Sequence, residues 1–412
     1  MSRAGSRYPT LSAWRFVAVF GVVSLLADFV YEGARSITGP LLASLGATGL
    51  VVGVVTGVGE AAALGLRLVS GPLADRTQRF WAWTIAGYAL TAVTVPLLGI
   101  AGALWSASVL VIAERAGKAV RSPAKDTLLS HATAVTGRGR GFAVHEALDQ
   151  FGAVIGPLTV AAVLAATDDD YAPALGVLAL PGAAALALLF WLRLRVRNPA
   201  GYELDDQQDD RKDTARGQPS AGGEPNAPLP AAFWLYCGFT AVTMIGFATF
   251  GLLSFHMVTR GILPAAAVPV VYAAAMGADA LAALASGWCY DRIAGDKGAV
   301  LAALPILSAL VATLAFTGNV AMVVAGALLW GAAVGIQEST LRAVVADLVA
   351  PPRRATAYGV FAAGLGAATA AGGALTGWLY DVSTGALVAS VIVIQLLALL
   401  AALIFSLRQR AG

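Results

Sequence analysis

The chain reads as a succession of long apolar stretches separated by short polar joints. Twelve of them approach or exceed the roughly 20 mostly apolar residues that a helix needs to cross the hydrocarbon core of a bilayer. They run over about 13–35, 49–70, 80–100, 103–125, 142–166, 172–192, 231–257, 266–287, 298–316, 320–346, 356–380 and 384–406. Backbone groups in hydrocarbon must find their partners within the segment, so stretches of this kind predict helices. One joint is long. From Arg193 to Pro230 the sequence passes through Arg193, Arg195 and Arg197, an acidic run (Glu203, Asp205, Asp206, Asp209, Asp210), and then Gly, Pro and Ser. This is the composition of a solvated linker. The expected organisation is a six-helix bundle over 1–192, a cytoplasmic linker over 193–230 and a second six-helix bundle over 231–412.

Composition agrees. Hydrophobic residues make up 58% of the 412 and charged residues 12%, against about 25% charged in soluble domains. That excludes a soluble globule and a disordered chain. The net charge of +3 is spread along the chain, so no nucleic-acid partner is expected. Cys237 and Cys289 lie singly in apolar stretches, with neither a disulfide framework nor zinc spacing. No metal and no cofactor is expected, and no cleaved signal peptide is read at the N-terminus. Lys and Arg mark cytoplasmic loops. With the N-terminus inside, Arg76, Arg79, Lys125, Arg138, Arg140, Arg292, Lys297, Arg353, Arg354, Arg408 and Arg410 all fall on the cytoplasmic side. Little beyond Arg35 and Arg260 remains outside, and the outer loop Asp168-Asp169-Asp170 is acidic. The expectation is a multi-pass protein of the inner or plasma membrane with both termini in the cytoplasm.

The halves repeat at a fixed offset of 216 residues. Ser70-Gly71 recurs as Ser286-Gly287 and Asp75-Arg76 as Asp291-Arg292; Arg138, Val144 and Gly156 recur as Arg354, Val360 and Gly372. Two bundles of one construction, related by an axis along the membrane normal, place a binding site between them near the midplane.

Charge inside a bilayer needs a partner or water. Spans 3, 6, 9 and 12 carry none in their cores and are expected to face lipid. Span 1 carries Asp28, Glu32 and Arg35 on one helical face, and span 2 carries Glu60 and Arg67. Span 4 carries Glu114, Lys118, Arg121 and Lys125 as a stripe with Arg115 beside it; span 5 carries His145, Glu146 and Asp149. The second half has Asp279, Glu338, Arg342 and Asp347. Counting turns from the cytoplasmic ends matches Lys118 with Asp149 and Arg121 with Glu146, and puts Asp28, Glu60 and Arg115 near mid-membrane. Two readings stay open: static salt bridges that lock the first bundle, or a set in which at least one carboxylate exchanges protons.

The joint Gly71-Pro-Leu-Ala-Asp75-Arg76-Thr-Gln-Arg79, with its weaker copy Gly287-Trp-Cys-Tyr-Asp291-Arg292, resembles the loop signature of the major facilitator superfamily. Gln78 stands where that signature usually has Gly. The resemblance covers nearly the whole chain and implies a transporter rather than an enzyme. It implies that Gly71, Asp75, Arg76, Arg79, Gly287, Asp291 and Arg292 form a gating loop, with Asp75 set against the start of span 11. Gly152-Ala-Val-Ile-Gly156-Pro157 is similar to a span 5 motif of the antiporter branch, although its trailing Gly pair is missing; plain helix packing is the other reading. Arg115 occupies the place of a basic residue that promotes proton exchange in proton-coupled members.

No nucleotide-binding, zinc-protease or serine-hydrolase motif is present. An ion gradient is therefore the expected energy source, with protons as the default. The expected function is proton-coupled efflux of small amphipathic compounds by a functional monomer. The alternative is proton-coupled uptake of an organic anion read by Lys118, Arg121 and Arg342. Proton coupling is expected from Asp28, Glu32, Glu60, Arg115, Lys118, Arg121, Glu146 and Asp149, with Asp28 or Glu60 as carrier and Asp149 next. Tyr31, Phe247, Phe250, Trp330, Phe361, Glu338 and Arg342 are the candidates for the substrate cavity.

Overall fold

The computed structural model describes residues 11–202, 228–292, 298–350 and 353–411, apart from the side chains of 138–140, 142–143, 291, 298–300, 355 and 405–411. Among the described residues all regular structure is helical. It forms twelve membrane helices: α1 (Ala13–Ser44), α2 (Gly49–Thr77), α3 (Phe80–Gly99), α4 (Leu104–Thr136), α5 (Arg138–Ala166) and α6 (Tyr171–Arg195), then α7 (Ala231–Thr259), α8 (Val268–Arg292), α9 (Gly298–Ala315), α10 (Val320–Leu348), α11 (Arg354–Val382) and α12 (Thr384–Ala411). Ten contain segments long and apolar enough to cross a membrane; the exceptions are α9, apolar over Leu301–Ala315, and the charged α4. Side chains fix several starts. Ser12, Thr48, Asp170 and Asn319 each accept a hydrogen bond from an amide of the following first turn, satisfying donors that helix geometry leaves free.

Several helices outrun their apolar stretch. α1 continues to Ser44 through Pro40, and α4 continues eleven residues past Lys125 to Thr136. Charge ends a hydropathy window, but Lys, Asp and Thr do not end a helix. The turn after α2 also departs from expectation in its chemistry. Gln78 takes a left-handed φ of 52°, a conformation that glycine adopts without strain. Its side-chain amide donates to the Asp75 carbonyl (2.7 Å) and holds the turn in glycine's absence.

The packing has two unlike ends. At the end carrying the joints near residues 47, 101, 168, 262 and 318, one apolar cluster runs through both halves; it includes Ile37, Val52, Leu164, Leu253, Trp330 and Leu387. At the other end, the linker face, where α6 ends and α7 begins, the core divides. Phe16, Phe20, Leu128 and Leu189 pack within the first six helices, while Phe233, Leu304, Val345 and Ala398 pack within the last six. Exposed apolar side chains such as Val93, Leu180, Ile306, Leu397 and Leu400 cover α3, α6, α9 and α12, as a lipid-facing surface requires.

Bare backbone makes the seal at the unified end. A β-carbon on Gly53 would lie 2.1 Å from the Gly373 carbonyl oxygen, and one on Gly39 would lie 2.2 Å from that of Gly251. Only glycine permits such approach between α2 and α11 and between α1 and α7. Two carboxylates add clasps across the halves. Asp381, at the end of α11, accepts from the amides of Gly49 (2.7 Å) and Leu50 (2.8 Å) at the start of α2. Asp169, just beyond α5, accepts from the Ala266 amide (3.0 Å) ahead of α8. Leu50 and Ala266 are 216 residues apart, so the second clasp repeats the first in the other half. Between them Thr56 and Thr249 hydroxyls meet at 2.8 Å.

Asp381→Asn is expected to loosen this seal by about 1 kcal/mol, the scale of a helix cap. In a cysteine-free background carrying Thr249→Cys, it should speed labelling by an impermeant maleimide from the sealed face about five-fold. An unchanged labelling rate would remove Asp381 from the seal.

Candidate functional site

A cavity lies between the halves and has two lobes. The larger, about 750 Å³, is bordered by α1, α2, α4, α7, α10 and α11. Its wall is mainly apolar, with Tyr31, Leu64, Met244, Phe247, Trp330, Phe361 and Leu365, and its mouth on the linker face carries Gly71, Asp75 and Tyr358. The smaller, about 300 Å³, lies among α1, α4, α5, α8 and α10 and is lined by Asp28, Lys118, Arg121, Lys125, His145, Glu146, Asp149 and Asp279. Arg35, Arg67, Lys118, Val334, Glu338 and Arg342 border both. The volume suits a drug-sized molecule.

The charged wall is built as a chain of contacts around α4. Arg35 of α1 reaches Glu60 of α2 at 2.9 Å and Glu32 at 3.7 Å. Glu60 also meets Arg115 (3.4 Å), which lies 3.6 Å from Glu114. Arg115 stacks over Tyr31 at 4.5 Å and donates to its hydroxyl; Lys118 sits over the same ring at 4.1 Å. One turn further, Arg121 pairs with Asp28 (3.8 Å), donates to Thr91 (2.9 Å) and lies over the Tyr88 ring (4.7 Å). Nearest the linker face, Lys125 approaches Asp149 (3.9 Å) and His145 (3.0 Å), and His145 lies 3.2 Å from Ser24. Glu32 accepts from Tyr272 of α8, so the network crosses to the second half. Buried ions survive only when paired in this way, and aromatic faces supply cation sites where carboxylates are absent.

The architecture and this central cavity set the chain beside known transporters. The family model described as Major Facilitator Superfamily matches residues 20–295 and 263–411. The chain belongs to the major facilitator superfamily. An uncharacterized protein of Mycobacterium tuberculosis is 73% identical over 99% of this chain and 96% of its own length. An uncharacterized MFS-type transporter of Methanocaldococcus jannaschii is 29% identical over 34% of this chain and 35% of its own. Among solved structures, a peptide transporter in complex with sulfate superposes with a TM-score of 0.75 at 14% identity, covering 98% of this chain and 95% of that one. A nucleoside transporter gives 0.68 at 13% identity over 96% and 98%. At such identities these structures share the fold. The protein is a multi-pass membrane transporter of the superfamily.

Within that frame the pairing expected from turn counting is corrected. Asp149 meets Lys125, not Lys118, and Arg121 meets Asp28, not Glu146. The count took Lys125 as the end of its helix, whereas α4 runs on to Thr136 and α5 starts at Arg138. Lys125 and Asp149 each lie eleven residues from that junction and so share a depth. Glu146 stays exposed on the polar lobe, and Asp279 and Glu338 have no cation within 4.0 Å among the described residues. Phe250 does not line the cavity. It is 1% exposed and wedged between Tyr272 and Trp330. Tyr31, Phe247, Trp330 and Phe361 do line it.

The gating loop is split. Gly71 and Asp75 border the mouth, and Arg76 and Arg79 face outward. Among the described residues no cation lies within 4.0 Å of Asp75, so the expected contact with the start of α11 is not made. On this face each half keeps a core of its own. Arg292 lies over Trp288 at 4.1 Å, a β-carbon on Gly287 would meet nothing within 4 Å, and the Asp291 side chain lies outside the described residues. Gly152 and Gly156 seat α5 on α1. A β-carbon at either would lie 2.2 Å from a main-chain oxygen, of Leu25 and Phe29 respectively. Pro157 follows inside α5.

Tyr272, Tyr88, Thr91 and Ser24 belong to the network but were not among the sequence candidates. Each is a single polar atom in an apolar run, and nothing in the spacing separates it from ordinary helix filling. The arrangement can hold a molecule against an apolar wall while its polar part meets a charged one.

Glu60→Gln should lower stability by about 3 kcal/mol, the low end for a broken buried ion pair, because Glu60 is 22% exposed. Arg35 and Arg115 would lose a shared partner. A thermal melt in detergent measures this, and a melt within a degree of wild type would show the pairs to be dispensable.

Proposed function

We propose that the protein exports small amphipathic compounds in exchange for protons, by alternating access of one central cavity. The observation that carries this reading is the division of the cavity: an apolar wall of α7, α10 and α11 faces a wall of buried ion pairs on α1, α2, α4 and α5. A cargo lying between them is placed to disturb those pairs. Asp28 and Asp149 suit the carrier role better than Glu60. Asp28 has one ion pair, at 3.8 Å, and lines the polar lobe, whereas Glu60 is held between two guanidiniums. In the proposed cycle a proton on Asp28 frees Arg121, and loss of that proton restores the pair. The open linker face then corresponds to the cytoplasm, as the positive loops suggest, with the carboxylate clasps outside, both termini cytoplasmic and one chain as the working unit in the cell membrane.

Uptake of an organic anion is the second reading, and the cations on the cavity border favour it. Arg121 lines the polar lobe but is 3% exposed and committed to Asp28 and Thr91. Arg67 takes its place beside Lys118 and Arg342.

The test is lumenal pH in sealed proteoliposomes with a preset acidic lumen, while amphipathic compounds are added outside. Proton efflux on addition supports antiport. Proton movement in the same direction as an added organic anion identifies symport. Asp28→Asn should abolish gradient-driven flux while the variant still melts cooperatively, at a temperature lowered by the loss of the Arg121 ion pair. Full pumping by that variant would exclude Asp28 as the carrier.

A further inference from the structure

We infer that the border between the two lobes is a head-group subsite for an anion, so that the cargo is an amphiphile with an apolar body and one negative end. This rests on the reading of the cavity as the transport site, but not on proton coupling or direction.

The ionic groups shared by both lobes are Arg35, Arg67, Lys118, Arg342 and Glu338. Arg35 is already bound to Glu32 and Glu60. For Arg67, Lys118 and Arg342, no carboxylate lies within 4.0 Å among the described residues. The Nε of Arg67 is buried with no hydrogen-bond partner. Asp126 and Glu338 line the polar lobe together with Arg67 and Arg342, and neither comes within 4.0 Å of them. Lys118 has its ammonium on the Tyr31 ring, a weak substitute for an anion. Elsewhere in this wall nearly every cation has its carboxylate. Glu146 and Asp279, which also lack a cation within 4.0 Å among the described residues, line only the polar lobe. Where the apolar wall begins, three unmatched cations therefore face one carboxylate, a local deficit of negative charge that a bound anion would fill.

The chemistry also fixes the orientation. Forked guanidiniums recognise carboxylate, sulfonate or phosphate oxygens. The apolar body then extends along Phe247, Trp330 and Phe361. Arg67 belongs to α2 and Arg342 to α10, so a head group between them is held by both halves at once, which a neutral cargo would not be.

The test is calorimetric binding to the purified full-length protein at neutral pH with three probes of one body: 4-phenylbutyrate, 4-phenylbutanol and 4-phenylbutylamine. The anion is expected to bind about tenfold tighter than the alcohol, and the amine more weakly than either. Arg67→Gln and Arg342→Gln should each remove most of the anion's advantage while the alcohol binds unchanged, which also shows that the variants are folded. Equal affinities, a tighter amine, an anion preference surviving both substitutions, or no binding by any probe at millimolar concentration would overturn the inference. Proton coupling could fail in proteoliposomes while this preference stands, so the two readings fall separately.

Discussion

A charge in hydrocarbon must be matched or wetted, and this molecule is organised around meeting that demand along α4. Five of its residues (Glu114, Arg115, Lys118, Arg121 and Lys125) would forbid the helix from facing lipid. It must lie inside a ring of partners: Asp28 and Tyr31 from α1, Glu60 from α2, Thr91 from α3, and His145 and Asp149 from α5. The lipid-facing positions fall to helices that carry no core charge. The placement of helices in the first half thus follows from the cost of stranding an ion, with apolar packing filling the remainder.

The second half has few such ions, and its packing is correspondingly apolar and aromatic. Trp330, Phe247, Phe250 and Tyr272 form one contiguous group there. The cavity between the halves inherits both characters, and its amphipathic lining is a by-product of joining two bundles that solve the burial problem differently. Where the halves meet through glycine backbone they share a core. Where they diverge, each keeps a core of its own, and that division makes a rigid-body rocking motion possible without unpacking either bundle.

The twelve helices, their order and the repeat were legible in the sequence, because hydrocarbon thickness and the fixed offset leave little choice. So was the membership of the charged wall. Its pairing was not. Hydropathy ends a span where charge accumulates, so α4 was read as stopping at Lys125, and the depths counted from there slipped by seven residues, about two turns. Phe250 illustrates a different limit. In the sequence nothing distinguishes it from Phe247, which lies in a break within α7, and only the packing of Tyr272 and Trp330 against it turns it away from the cavity. The unmatched cations could not be found from sequence at all, since a missing partner is a property of distance.

The clasps at the sealed end have a further consequence. Asp381 and Asp169 bind main-chain amides, which no substitution short of proline can remove. At Leu50 and Ala266 inheritance can therefore alter the clasp from its acidic side alone, and those two positions stay free to diverge in side chain while the lock persists. Gly49 is not: a β-carbon there would lie 2.8 Å from the Asp381 carboxylate it serves, so at that one contact the keyhole is constrained together with its key.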